Sequence, residues 1–158
     1  MAVLVAAAGN RLRGDDGAGP RLLDILRGEF RRGQRQGGVR FFEAGGDPLA
    51  LISKWGPDDR VLIVDAVRSG APAGTIHRFD TDDGPIVPPP AAISSHGIGV
   101  AELLDLARRT GQSPARLVFY GVEGRMFDLG EGLSVPVEGA LAAAAARIHA
   151  ELVGWMRS

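Results

Sequence analysis

The stretch Val3-Leu4-Val5-Ala6-Ala7-Ala8, followed at once by Gly9-Asn10-Arg11-Leu12-Arg13-Gly14-Asp15-Asp16-Gly17-Ala18-Gly19, decides the fold. Six apolar residues bounded by glycine predict a buried strand. Pro20 suits the first turn of a helix, and Leu22, Leu23, Leu26 and Phe30 follow at helical spacing. A strand, a glycine-rich loop and a helix in that order open an α/β fold, and the loop falls where such folds bind ligands. The spacing Gly9-x-x-x-x-Gly14 is that of a phosphate-binding loop. The next two residues are Asp15 and Asp16, where a phosphate site needs Lys and Ser or Thr. Two carboxylates repel a phosphate, so the loop is expected to meet a metal or a basic group.

Further along, Val39–Phe42 and Arg60–Ala66 predict two more strands, the latter through the continuous run Val61-Leu62-Ile63-Val64 of a strand covered on both faces. Asp47 and Pro48 start a short helix through Leu51 and Ile52. Thr75–Phe79 reads as an edge strand and Asp80–Pro90 as an extended, exposed segment. Val100, Leu103, Leu104 and Ala107 mark a helix that Ser94 or Ser95 would cap and Gly111 would end. Leu117–Tyr120 is the last strand. Ser134 and Pro136 open a long final helix whose buried stripe is Val137, Leu141, Ala145, Ile148 and Leu152. This alternation predicts a three-layer αβα sandwich, a single domain over 1–158, around a five-stranded, mostly parallel twisted sheet.

Composition narrows the function. A net charge of −1 gives no electrostatic case for nucleic acid or an anionic membrane. With no cysteine, disulfides, thiolate metal sites and a cysteine nucleophile are excluded. No apolar stretch approaches the ~20 residues of a membrane span, and no leader pattern precedes the first strand. A cytoplasmic monomer is the expectation.

Three groups fall at strand ends. Asp16 lies in the first loop, Asp65 closes the Val61–Val64 run, and His96 stands in Ser94-Ser95-His96-Gly97 before a helix. The ends of the first and third strands are commonly neighbours at the switch point of a doubly wound sheet. Two carboxylates and an imidazole converging there would suit zinc, nickel or manganese, with open positions for something else. Taken singly, each has a structural explanation: a carboxylate near a helix N-terminus, a turn aspartate, a loop histidine. Glu43 and Asp47, flanking Gly45-Gly46, are possible groups of the same cleft, whereas His77 and His149 are expected to be solvated.

Gly9-Asn10, Asp15-Asp16-Gly17 and Gly19, Val64-Asp65-Ala66, Ser95-His96, Tyr120-Gly121-Val122-Glu123 and Gly132-Leu133-Ser134 with Val137 together resemble the hydrogenase maturation proteases. The resemblance runs over nearly the whole chain. It implies a nickel-dependent endopeptidase that removes a C-terminal extension from the precursor of a nickel–iron hydrogenase large subunit after nickel insertion. It also implies that Asp16, Asp65 and His96 contact the metal and carry the catalytic work. Two positions depart from the family's pattern: Ala7 replaces the first glycine of Gly-x-Gly-Asn, and Asp47 replaces the threonine of Gly-Gly-Thr.

A metal held by the three residues would polarise a carbonyl or activate water. Alternatively the precursor carries the nickel, which orients the cleavage site while a carboxylate such as Asp16 helps activate water; the second arrangement is favoured. Two other functions stay open on the residues alone: a non-catalytic chaperone gripping the same precursor, and a nucleotide- or nucleoside-binding α/β enzyme. Neither a His-Glu-x-x-His motif nor a nucleophile elbow is present.

Overall fold

A computed structural model describes residues 1–33, 38–45, 47–84, 93–94 and 100–157. Five strands, β1 (Val3–Ala8), β2 (Val39–Gly45), β3 (Arg60–Arg68), β4 (Ile76–Asp80) and β6 (Arg116–Glu123), lie in the order β2-β1-β3-β6-β4. The pairings β2–β1, β1–β3 and β3–β6 are parallel, and β4 runs antiparallel to β6. The two-residue strand β5 (Ile93–Ser94) adds an antiparallel pairing to Val67 and Arg68 of β3. The expected five-stranded, mostly parallel sheet is therefore present; its edge strand, expected over Thr75–Phe79, spans Ile76–Asp80, and Asp80 is buried rather than part of an exposed segment.

Strand alternation divides the core into two. Val3, Val5, Leu62, Val64, Val118 and Val122 face α1 (Ala18–Arg32) and α3 (Val135–Arg157), which supply Leu22, Leu26, Phe30, Val137, Leu141, Ile148 and Leu152. Leu4, Ala6, Val61, Ile63, Leu117 and Phe119 face α2 (Val100–Arg109) and the 3-10 turn Pro48–Lys54, through Leu103, Leu104, Leu51 and Trp55. Each fully buried large aliphatic side chain contributes about 1.5–3 kcal/mol. The whole predicted stripe of α3 is buried.

The differences from the sequence reading are local. Helix α1 begins at Ala18, so Pro20 is its third residue. Its first turn still needs no N–H there. Strands β2, β3 and β6 each run two or three residues beyond their predicted ends, because the chain stays paired past its apolar run. Asp47 accepts from the Leu49 N–H and starts the 3-10 turn. Gly111, at φ +69°, ends α2 as expected. Ser94 belongs to β5 rather than capping α2, and Ser95, His96 and the segment 85–92 lie outside the described residues.

Candidate active site

The site is built where β1 and β3 end side by side. Ala7 pairs with Val64, so Ala8 and Asp65 are the next residues along the two strands. Strands β2 and β6 lie on opposite sides of this pair, which makes it the switch point of the sheet. Helix α1 starts directly above it. A Cβ at Gly19 would stand 2.5 Å from the Ala8 carbonyl oxygen, 2.8 Å from that of Val64 and 3.2 Å from the Asp65 Cα. Only glycine allows that approach. Gly9, at φ +131°, turns the chain so closely under the 3-10 turn Gly14–Gly17 that a Cβ would meet the Asp16 carbonyl oxygen. These two glycines bring Asp16 back over the strand ends that carry Asp65.

Both carboxylates are buried, Asp16 with 2 % and Asp65 with 6 % of its surface exposed. Asp16 Oδ2 accepts from the Asn10 N–H at 2.7 Å, and Asp65 Oδ1 accepts from the Ala66 N–H at 2.7 Å. Backbone donors fix the direction of each group. The structure thus places two of the three predicted site residues at the adjoining ends of β1 and β3; His96 lies outside the described residues. Among the described residues no group of three His, Asp or Glu side chains forms a metal site. The donor chemistry still fits a divalent ion of intermediate softness: two carboxylates held by main-chain N–H groups, with the imidazole of His96 as the third expected ligand.

Asp15 corrects the view of a cation-seeking acidic pair. It is fully buried and turns to residues 125–134 instead. Its Oδ2 accepts from the N–H groups of Arg125 and Met126 and from the Ser134 hydroxyl, and its Oδ1 from the Ser134 N–H, all at 2.7–3.0 Å. Burial pushes its carboxyl up, but the main-chain donors of Arg125, Ser134 and Met126 outweigh this and hold it below the ordinary value. Asp15 is a staple between the first loop and the connection from β6 to α3. Further bonds complete that seam: Gly14 N–H to Gly130 O, Gly130 N–H to Leu12 O and Asp15 N–H to Met126 O. No signal in the sequence joined residue 15 to residues 125–134.

The same accounting disposes of a phosphate cradle. The N–H groups of Gly9, Asn10, Leu12, Arg13, Gly14, Asp15 and Asp16 all donate within the protein. A P-loop aims such groups at its ligand.

Glu43 is not an open cleft group. It receives Nε and Nη2 of Arg11, which also grips Asp24 of α1. His77 and His149 are not simply solvated either. The His77 Nε2 lies 3.0 Å from Glu123 Oε1, and the His149 ring packs 5.1 Å from that of Phe30. Glu123, with 1 % of its surface exposed, also accepts from the N–H and hydroxyl of Ser69. Burial raises its carboxyl and these partners more than reverse the shift. Sequence reasoning quoted Glu123 without a role; its strand position, in step with Leu117 and Phe119, was the available clue.

Two buried, backbone-oriented carboxylates at the switch point of a mostly parallel sheet between helices define an α/β protein with its candidate site at the strand ends. The model of the hydrogenase maturation protease family matches residues 27–151, and the chain belongs to that family. It is 30 % identical over 140 residues to a hydrogenase expression/formation protein of Azotobacter chroococcum, covering 88 % of this chain and 66 % of the relative. It is 28 % identical over 154 residues to the hydrogenase 2 maturation protease of Escherichia coli, covering 96 % and 91 %. The solved hydrogenase maturating endopeptidase HybD from E. coli superposes with a TM-score of 0.78 at 25 % identity, over 98 % of this chain and 93 % of that one. The chain spans less than two thirds of the length of the first curated relatives it matches, 66 % and 53 %.

Proposed function

We propose that this protein is an endopeptidase that removes the C-terminal extension of a nickel–iron hydrogenase large-subunit precursor after nickel insertion. The observation that carries this reading is the placement of Asp16 and Asp65, both buried and both aimed by main-chain donors, at the switch point of a maturation-protease fold. The precursor is the partner, and its nickel is part of the substrate. Asp65 and His96 supply one carboxylate and one imidazole to that ion, and Asp16 completes the set. The ion is already partly ligated by the precursor, so three oxygen and nitrogen ligands suffice for docking. Asp16 is also the group to accept a proton from the water that attacks the scissile carbonyl, since a buried carboxylate beside the bond can act as general base. The nearby peptide is held against this carboxylate by the docked metal, and the ordering of reactants supplies part of the rate.

A site without thiolates and with an open shell binds a free divalent ion weakly. The purified protein is therefore expected to be largely metal-free, yet to take up added cadmium or zinc. The experiment is a cleavage assay with metal-free enzyme on nickel-loaded and nickel-free precursors, read by mass spectrometry. Loss of the tail from the nickel-loaded form alone is the expected result. Equal cleavage of both removes nickel recognition. Binding without cleavage of either makes the protein a chaperone. Cleavage only after the enzyme itself is loaded makes it a conventional metalloprotease.

A further inference from the structure

Outside the pair Asp16 and Asp65, the most completely buried carboxylate at this end of the sheet after Asp15 is Glu123, and the mechanism above does not use it. It is a hub. Its own N–H donates to the Thr75 carbonyl and its carbonyl accepts from the Gly74 N–H. Its side chain accepts from Ser69 twice, once through the N–H at 2.8 Å and once through the hydroxyl, and meets the His77 ring. One residue at the end of β6 thus closes the loop 69–75 at both ends.

What that loop follows gives the hub its meaning. Val67 pairs with Glu123 on one side and with Ser94 of β5 on the other. Arg68 pairs with Ile93. The row Ser94, Val67, Glu123, Thr75 crosses four chain segments, two residues beyond Asp65 along β3. The pairing with β5 is only two residues long, so it has little stability of its own. It needs Val67 and Arg68 to stay extended, and Ser69, the next residue, is the point where Glu123 holds them. In sequence, Ser94 is two residues before His96.

We infer that Glu123 is a positioning residue for the cleavage reaction: through Ser69 and His77 it keeps the end of β3 extended, so that β5 stays paired beside Asp65. This rests on the proposed function for its catalytic half and on the hydrogen bonds alone for its structural half. A carboxylate is suited to the task because its oxygens accept from the Ser69 N–H and hydroxyl and meet the His77 ring, where an apolar group leaves these groups unsatisfied in a buried place. The reaction feels the loss because displacement of reacting groups by about 1 Å lowers a rate by up to 10²-fold.

The test uses the full chain with Glu123→Ala, Glu123→Gln and Ser69→Ala, with two readings on each. Amide hydrogen exchange is followed at Ile93 and Ser94 and, as a control, across β1. In Glu123→Ala, exchange in β5 is expected to rise at least about tenfold while β1 stays protected, the signature of a local rather than a global opening. Steady-state cleavage of nickel-loaded precursor is expected to lose about tenfold or more in kcat with KM nearly unchanged, as for groups that act only once substrate is bound. Glu123→Gln keeps an oxygen for Ser69 and an amide for His77, and is expected to restore most of both readings. If Glu123→Ala does not fold, Ser69→Ala, which deletes a single hydroxyl, takes its place in both readings. Unchanged β5 exchange in the alanine variant overturns the inference, as does unchanged kcat alongside opened β5. If the wild-type protein cleaves no precursor, the functional reading fails, and the exchange measurement alone upholds or overturns the hold on β5.

Discussion

The two ends of the sheet treat buried carboxylates in opposite ways. At the end where β6 begins, Asp80 is bound by the guanidinium groups of Arg116 and Arg78, and Arg78 reaches on to Glu151 of α3, which also accepts from the Tyr120 hydroxyl. At the end where β6 finishes, Asp15 is held by three backbone N–H groups and a hydroxyl, and Asp16 and Asp65 each take a backbone N–H. Guanidinium groups cancel a carboxylate's charge and lock it into the scaffold. One end is therefore a brace of carboxylate and guanidinium groups, and the other a set of carboxylates aimed by main-chain N–H donors.

Exchanging Asp16 or Asp65 for Ala should have the largest consequence: loss of processing by about 100-fold or more, with the circular dichroism spectrum of the wild type. If both variants cleave nickel-loaded precursor at the normal rate, the functional half of the comparison breaks. Leu141→Asp, which buries a charge in the face between α3 and the sheet, should leave insoluble or unfolded protein; a soluble, active variant would show α3 undocked.

Asp15→Ala comes next. It strands four donors and should cost about 3 kcal/mol in urea unfolding. A loss of activity at full stability would instead place Asp15 with its neighbour at the candidate site.

The brace is read by pH. Arg116 first, against burial and helped by the Asp82 N–H and Arg78, holds the Asp80 carboxyl at about 2, below its ordinary 3.8. A depressed carboxyl stabilises the fold above the ordinary value. That contribution is lost as the pH falls from about 4 towards 2. It is worth about 2 kcal/mol, so Asp80→Asn should lose about that much at pH 7 and show a flatter acid limb. The exposed pair Arg21–Glu138, joining α1 to α3, marks the low end of the scale: Arg21→Ala should move stability by less than about 0.5 kcal/mol.

Much of this was legible in the sequence because it depends on periodicity. The Val61–Val64 run, the Leu22 to Phe30 stripe of α1 and the Val137 to Leu152 stripe of α3 each carry their own pattern, and their order implies the sheet. The placement of Asp16 and Asp65 was legible because one lies in the loop after the first strand and the other closes the Val61–Val64 run, at the same end of parallel strands. The fate of Asp15, Glu43 and His77 was not, because each is decided by a partner distant in sequence: residues 125–134, Arg11 and Glu123. Asp15 and Asp16 are chemically identical neighbours, and only the folded chain separates their duties. His96, the third residue proposed for the site, lies outside the described residues.

The staple from Asp15 to Arg125, Met126 and Ser134 has a consequence for the order of synthesis. The acidic loop leaves the ribosome ahead of the groups that fasten it, which emerge more than 100 residues later. At ordinary elongation rates of about 5–20 residues per second, several seconds pass in which residues 9–17 lack their anchor. The loop that carries Asp16 is fastened only when the end of β6 and the start of α3 have joined the fold.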